Sequence, residues 1–207
     1  MSALAFEPDL TKWNAWAPGE VSCRLAGVKA PWYVAAGWAI DLFLGGGYRE
    51  HDDLEIAVPR DRFSEIEEAL DAFELFVVGV PGQGFVTPLK EAGDALGGSH
   101  QTWVREPQTG LWRLDVMREP ADGGTWICRR DVRIRMPYDQ VIERAADGIP
   151  YGRPEVVLLF KAKATRPKDD ADFLAVLPHL GPERRRWLAD ALELVHPAHA
   201  WLEQLAA

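Results

Sequence analysis

The segment VAAGWAIDLFLGGGYREHDDLEIAV, residues 34–58, crowds His51, Asp52, Asp53 and Glu55 against an apolar run. In an extended chain, residues two apart share a face and lie roughly 7 Å from one another. The stretch DLEIAV (53–58) therefore turns Asp53 and Glu55 one way and Leu54, Ile56 and Val58 the other. Carboxylates so spaced can converge on one metal ion, or hold two ions about 4 Å apart as two-metal phosphoryl-transfer sites do. A third carboxylate is offered by WRLDVM, where Asp115 stands between Leu114 and Val116 and alternates to their opposite face. Asp53, Glu55 and Asp115 are the candidate catalytic and metal-binding residues. A ligand set of oxygens alone selects Mg²⁺ or Mn²⁺ over zinc. Asp52 faces away from Asp53 and reads as a turn residue.

The elements that must hold these side chains follow from the pattern around them. WYVAA (32–36) is a short apolar strand stopped at Gly37, and WAIDLFLGG a helix closed by Gly45–Gly47. DLEIAV is a strand ended by Pro59, DRFSEIEEALDAF an amphipathic helix and LFVVGV (75–80) another strand. Residues 81–98 read as a loop, and HQTWVRE-PQTG-LWRLDVMRE as a hairpin. DVRIRMP is a candidate strand and YDQVIERAA a candidate helix. The first thirty residues suggest one or two helices. Beyond DGIPYGRP the pattern becomes helical, with breaks at Pro167, Pro178, Gly181–Pro182 and Pro197. The expected division is a mixed α/β part over residues 1–150 and a helical part over 151–207 packed on it.

Composition narrows the partners. The chain has 207 residues and a net charge of −9, with 47% hydrophobic and 27% charged residues, the balance of a folded globular protein. Nucleic-acid binders display basic surfaces, so the acidic balance argues against DNA or RNA and is compatible with a small, even cationic, ligand. No apolar run reaches the roughly 20 residues of a membrane span. The start, MSALAFEPDLTKW, lacks the basic-then-apolar order of a signal peptide. Cys23 and Cys128 stand far apart in no metal-ligand spacing, which fits a reducing cytoplasm.

AGWAIDLFLGGGYREHDDLEI resembles the nucleotidyltransferase superfamily that includes DNA polymerase β. Within it, the resemblance is to the aminoglycoside and lincosamide nucleotidyltransferases and their uncharacterised relatives. Gly37, Trp38, Asp41, Arg49, His51, Asp53 and Glu55 match that motif in order and spacing. RLDVM resembles the strand bearing the third carboxylate, and RPEVVLLFKAKATRPKDDADF the helical segment whose lysines face the nucleotide. Two positions depart: Ala36 stands where the family has glycine or serine, and Glu55 where it commonly has aspartate.

The resemblance implies an α+β fold, a mixed β-sheet core flanked by helices with a C-terminal helical region. It implies metal-dependent transfer of an NMP, AMP foremost, from an NTP such as ATP to a hydroxyl of a small acceptor of antibiotic type. Asp53 and Glu55 would hold Mg²⁺, and Asp115 would complete a metal site or act as general base. Backbone N–H groups at Gly37 and Trp38 would face the triphosphate, with Lys161, Lys163 and Arg49 as phosphate-neutralising cations. Two alternatives stay open: a toxin-like transferase acting on tRNA or protein, and an inactive relative that holds nucleotide.

The remaining polar residues have plainer readings. His51 is structural, and Asp41 is either exposed or bonded to the Arg49 loop. KDDADF starts a helix with acidic residues favoured by its dipole. Arg184–Arg186 form a solvated face, and His196 and His199 belong to the surface. Most of the nine tryptophans belong to packing, with one or two available to stack on the base or acceptor.

Overall fold

A computed structural model of the protein describes residues 5–79, 84–93 and 95–206, with residues 95 and 96 given by their backbone alone. In chain order the strands are β1 (Tyr33–Val34), β2 (Glu55–Pro59), β3 (Glu74–Val78), β4 (Val86–Pro88), β5 (Gln101–Arg105), β6 (Trp112–Glu119), β7 (Ala121–Asp122), β8 (Thr125–Ile127), β9 (Arg135–Pro137), β10 (Ile142–Arg144) and β11 (Pro150–Gly152). The helices are α1 (Pro18–Arg24), α2 (Ala36–Phe43), α3 (Ser64–Ala69), α4 (Ala95–Gly98), α5 (Tyr138–Val141), α6 (Pro154–Lys161), α7 (Pro167–Val176), α8 (Pro182–Val195) and α9 (Trp201–Leu205). The α+β class expected from the sequence is the one observed. The chain forms two compact units: residues up to Trp32 with His51–Glu119, and Tyr33–Glu50 with Pro120 onward. These units interleave along the chain.

In the first unit the strands run β2-β6-β5-β3-β4, with β2 parallel to β6 and every other neighbour antiparallel. Alternation decides the faces. Leu54, Ile56, Val58, Leu114, Val116 and Val104 are all fully buried. Burying each large apolar side chain is worth about 1.5–3 kcal/mol, which locks the register, since a one-residue slip would turn every one of them to the other face. Strand pairing then sets Glu55 opposite Asp115, Asp115 opposite Trp103 and Trp103 opposite Phe76, one row on the reverse face.

The register between β5 and β6 shifts at Val104/Arg105. The β-bulge re-aims Trp112 toward that row: its ring lies 5.4 Å from Trp103 and 5.3 Å from Phe76. The chain before α1 runs alongside, with the Asn14 and Trp16 N–H groups donating to the Trp112 and Arg113 carbonyls at 3.0 Å each. Trp13 joins the cluster, 5.2 Å from Trp103.

In the second unit β1 pairs in parallel with β11, β11 pairs with β10, and β7-β8-β9 form a small antiparallel sheet. Gly152 is required there, because a Cβ at that position would stand 2.9 Å from the Tyr33 ring. Helix α6 contacts α2, α7 and α8. Its last carbonyls, Leu159 O and Phe160 O, accept from Arg130 at 2.7 and 2.6 Å, which satisfies groups a helix end leaves open. Phe173 of α7 stacks on Trp201 of α9 at 4.4 Å. No helix among the described residues is long and apolar enough to cross a membrane.

Several expected boundaries moved. The first thirty residues hold a 3₁₀ turn, Leu10–Lys12, besides α1. YDQVIERAA begins as α5 but passes into β10, because Ile142–Arg144 pair with β11 and tertiary pairing overrides helix propensity. DVRIRMP supplies only the short β9. Residues 84–98, read as loop, contain β4, a 3₁₀ turn and α4. The rest of that reading, residues 81–83 and 94, and the end of LFVVGV at Val80 lie outside the described residues.

Candidate active site

The carboxylate row lies wholly in the first unit. Asp115 is buried in the middle of β6, and its N–H donates to the Leu54 carbonyl at 2.9 Å. Gln101, from β5, donates its side-chain amide to Asp115 Oδ2 at 2.8 Å, which fixes that carboxyl group. Glu55, half-buried, is the first residue of β2 and pairs in register with Asp115. Adjacent strands stand about 4.8 Å apart, so the two carboxylates project side by side from one face. Asp53 is exposed and precedes β2. The expectation of a strand from residue 53 is thus corrected: pairing begins only where the Leu54 carbonyl meets Asp115, and Asp53 reaches the same end of the strand from the loop.

The chemistry of this donor set fits a divalent cation. All three groups are carboxylates, and two of them are in-register neighbours whose mutual repulsion a cation would offset. Among the described residues, no three His, Cys, Asp or Glu side chains are drawn together as a closed metal cluster. The set is open, with one exposed member, Asp53, outside the strand.

The sequence also singled out Gly37, Trp38, Arg49, Lys161 and Lys163, and these lie in the second unit. Ala36 opens α2 with φ +49°, in the left-handed region, and Gly37 behind it is buried. The amides of a first helical turn have no carbonyl partner within the helix, which makes such an end receptive to anions. Trp38 is half-buried in that turn. His51, in the first unit, is half-buried as well.

Asp41, further along α2, is buried and ties down the glycine loop. Its carboxylate accepts from the N–H groups of Gly47, Tyr48 and Arg49 at 3.0, 2.7 and 3.2 Å. Of the two sequence readings of Asp41, the bond to the Arg49 loop is the one observed.

Arg49 and Lys161 are held by aspartates. Arg49 grips Asp172 through two nitrogens, at 3.0 and 3.2 Å. Lys161 Nζ stands 2.9 Å from Asp169 and 3.0 Å from Asp172, with its side chain 8% exposed. Arg166 closes the chain of charges on Asp169 at 2.8 Å. Burial alone would push the Asp169 carboxyl up, but hydrogen bonds from Arg166 and Lys161 outweigh it and hold the group well below the usual carboxylate range. Lys163, two residues on, is exposed.

Asp169 and Asp172 were legible only as acids at a helix start. Their better signal is spacing: Asp169, Asp172, Phe173 and Val176 fall at i, i+3, i+4 and i+7, and all four are buried. Arg118 was missed entirely. It lies three residues beyond Asp115 on the opposite face of β6, buried, with its guanidinium 5.5 Å over the Phe63 ring. Burial, with Arg60 nearby, lowers its pKa to about 10.

Comparison with known proteins bears on this constellation. Residues 19–78, which include α2, the glycine loop and β2, match the family model of the aminoglycoside-2''-adenylyltransferases. A 73-residue stretch is 34% identical to a 2''-aminoglycoside nucleotidyltransferase of Escherichia coli, covering 35% of this chain and 40% of that protein. A protein of the same description from Klebsiella pneumoniae matches equally. The matched stretch therefore spans less than half the length of these relatives. Among solved structures, the antibiotic-resistance factor ANT(2'')-Ia superposes with a TM-score of 0.57 at 17% identity, over 87% of this chain and 91% of that one.

The fold is that of a nucleotidyltransferase.

The nucleotidyltransferase fold is shared as well with the lincosamide adenylyltransferase LnuA, solved with lincomycin, at a TM-score of 0.52 and 16% identity over 76% of this chain and 92% of that one. ANT(2'')-Ia in complex with adenylyl-2''-tobramycin gives 0.57 at 16% identity, over 85% of this chain and 95% of that one.

Proposed function

We propose that this chain transfers a nucleoside monophosphate, AMP from ATP first among the candidates, to a hydroxyl of a small hydroxylated acceptor of the aminoglycoside or lincosamide class. The observation that carries the reading is the in-register pair Glu55 and Asp115, with Asp53 at the mouth of β2. Glu55 lies within the segment that matches the adenylyltransferase model, and the pair stands on the nucleotidyltransferase fold. The net charge of −9 suits a cationic acceptor, and the compartment that fits is the cytoplasm.

In the reaction the acceptor oxygen bonds to the α-phosphorus, the bond from that phosphorus to pyrophosphate breaks, and the hydroxyl proton passes to a base. Asp53 and Glu55 would hold Mg²⁺ or Mn²⁺, with Asp115 as a third ligand or as the base. When bound, that cation would supply charge neutralisation on the triphosphate. If Asp115 is the base, its buried carboxylate takes the proton while Gln101 holds its Oδ2. The Gln101 amide fixes the orientation of that carboxyl group, so it meets the acceptor in one pose. Trp103, opposite Asp115 on the same face, packs against Trp13 and Trp112 and bounds the row with apolar surface. Within the second unit, the amides of Gly37 and Trp38 at the start of α2 and the exposed Lys163 are the groups suited to phosphate oxygens.

Incubation with each NTP, Mg²⁺ and a panel of aminoglycosides and lincosamides tests the reading by mass spectrometry. The expected product is an acceptor heavier by one nucleotidyl group, with stoichiometric pyrophosphate. Hydrolysis of NTP without any acceptor adduct would refute it.

A further inference from the structure

Arg49 and Lys161 match positions where the resemblance implies contact with phosphate, yet their surroundings give them other work. Arg49, Asp172, Lys161, Asp169 and Arg166 form one alternating line of charge: cation, anion, cation, anion, cation. Asp172 is fully buried and takes both Arg49 and Lys161. Were Lys161 to turn to a phosphate, Asp169 and Asp172 would each lose one of two cations, leaving Arg166 and Arg49 alone to offset two buried charges, and weakening such pairing is costly. Arg49 spends its planar fork on Asp172, the geometry in which a guanidinium holds a carboxylate most firmly. The same stretch of backbone is held from the other side by the Asp41 carboxylate under the Gly47–Arg49 amides. The segment so clamped ends four residues before Asp53.

We propose that Arg49, Asp172 and Lys161 are positioning residues, whose ion-pair brace, together with Asp41, fixes the loop Gly47–Arg49 from which the chain runs on to Asp53. The inference rests on the nucleotidyl-transfer reading for its catalytic consequence, but not for the brace itself. Its chemical content is that Arg49 acts through Asp172 and touches no substrate. Misplacing a reacting group by about 1 Å costs about 10²-fold in rate, so loosening the brace should fall on kcat rather than on KM for the nucleotide.

The test compares Arg49→Met, Asp172→Asn and the double variant with the wild type, each checked for cooperative thermal unfolding. Steady-state kinetics should show kcat reduced about 10²-fold in each single variant, with KM for NTP within about twofold of wild type. The double variant should be no slower than the worse single variant, since both remove the same link. A KM for NTP raised in Arg49→Met with kcat intact, or losses that multiply in the double variant, would place Arg49 on the phosphates and overturn the proposal. Amide hydrogen exchange over residues 47–53 separates this from the functional reading. Exchange accelerated in Asp172→Asn supports the brace even in a chain that transfers nothing, and exchange unchanged there overturns it whatever the activity. Should Asp172→Asn fail to fold, Arg49→Lys, which keeps the charge and loses the fork, gives the same two readouts in milder form.

Discussion

Glu55 and Asp115 face each other across the parallel pair β2 and β6, Glu55 half-buried at the strand's start and Asp115 buried at mid-strand with Gln101 on its second oxygen. Two carboxylates held this close destabilise one another unless a cation stands between them. Neutralising either one should therefore split two properties. Glu55→Gln should unfold at a temperature at least equal to that of the metal-free wild type, while losing the rise in Tm that Mg²⁺ gives the wild type. Thermal melts with EDTA and with excess Mg²⁺ check this. Equal Mg²⁺-induced shifts in both proteins would remove Glu55 from the metal site.

Ala36 lies at φ +49°, a conformation that an L residue with a Cβ holds at a cost of about 1–2 kcal/mol. Glycine relieves that cost but loses about 0.5–1 kcal/mol to chain entropy on folding. Ala36→Gly should thus be more stable by about 0.5–1 kcal/mol, a gain of about 1–4 °C in Tm for a chain of this size. Ala36→Val, β-branched at the same angle, should be less stable than the wild type. Calorimetry of the three proteins decides it, and a less stable glycine variant would show that the turn is not strained.

The line of charges in α6 and α7 sets an acid limit. The folded Asp169 carboxyl is depressed below its ordinary 3.8. The stabilisation is therefore complete above that value and is lost as the pH falls toward the folded pKa. Urea titrations between pH 6 and pH 2 should show the wild type losing stability below about pH 4 more steeply than Asp169→Asn. Parallel curves would mean that the pairing with Lys161 and Arg166 contributes nothing to folding.

His196 and His199 act at milder pH. Both are shifted down, His199 chiefly by burial and His196 by burial with Arg130 beside it. His199 Nδ1 accepts from the Trp201 N–H at 3.2 Å, a bond that only a neutral ring makes there, and Nε2 sits 3.0 Å from Thr165 Oγ1. A depressed folded pKa gives stability that is present above the ordinary value of 6.5 and lost as the pH falls below it. The wild type should lose stability between pH 7 and pH 5, and His196→Gln/His199→Asn should flatten that dependence. A slope unchanged in the double variant would assign the dependence elsewhere.

Much of this was visible in the residues. Alternation in DLEIAV and WRLDVM separated Glu55 and Asp115 from the buried Leu54, Ile56, Leu114 and Val116, because burial of one face leaves a strand no other register. The prolines that open α6, α7 and α8 marked the helical region, since proline suits a first helical turn and breaks an interior. Asp172 was hidden because pairing across 123 residues leaves no local trace, and an aspartate in a polar run reads as solvated. Ile142–Arg144 were misread for a related reason: their extended form comes from β11, not from their own propensity. The bulge that swings Trp112 onto the Trp103 face was likewise invisible, as nothing in PQTGLW announces a register slip.

The most direct test of the account is the rate of nucleotidyl transfer by Asp115→Asn against the wild type, with Mg²⁺, ATP and the best acceptor from the panel. Asparagine keeps the shape of the side chain and removes the charge. The expected result is a variant that folds and melts like the wild type but transfers about 10²–10⁴-fold more slowly. Adduct formed at the wild-type rate by Asp115→Asn would contradict the central claim, that the carboxylates of β2 and β6 carry the reaction.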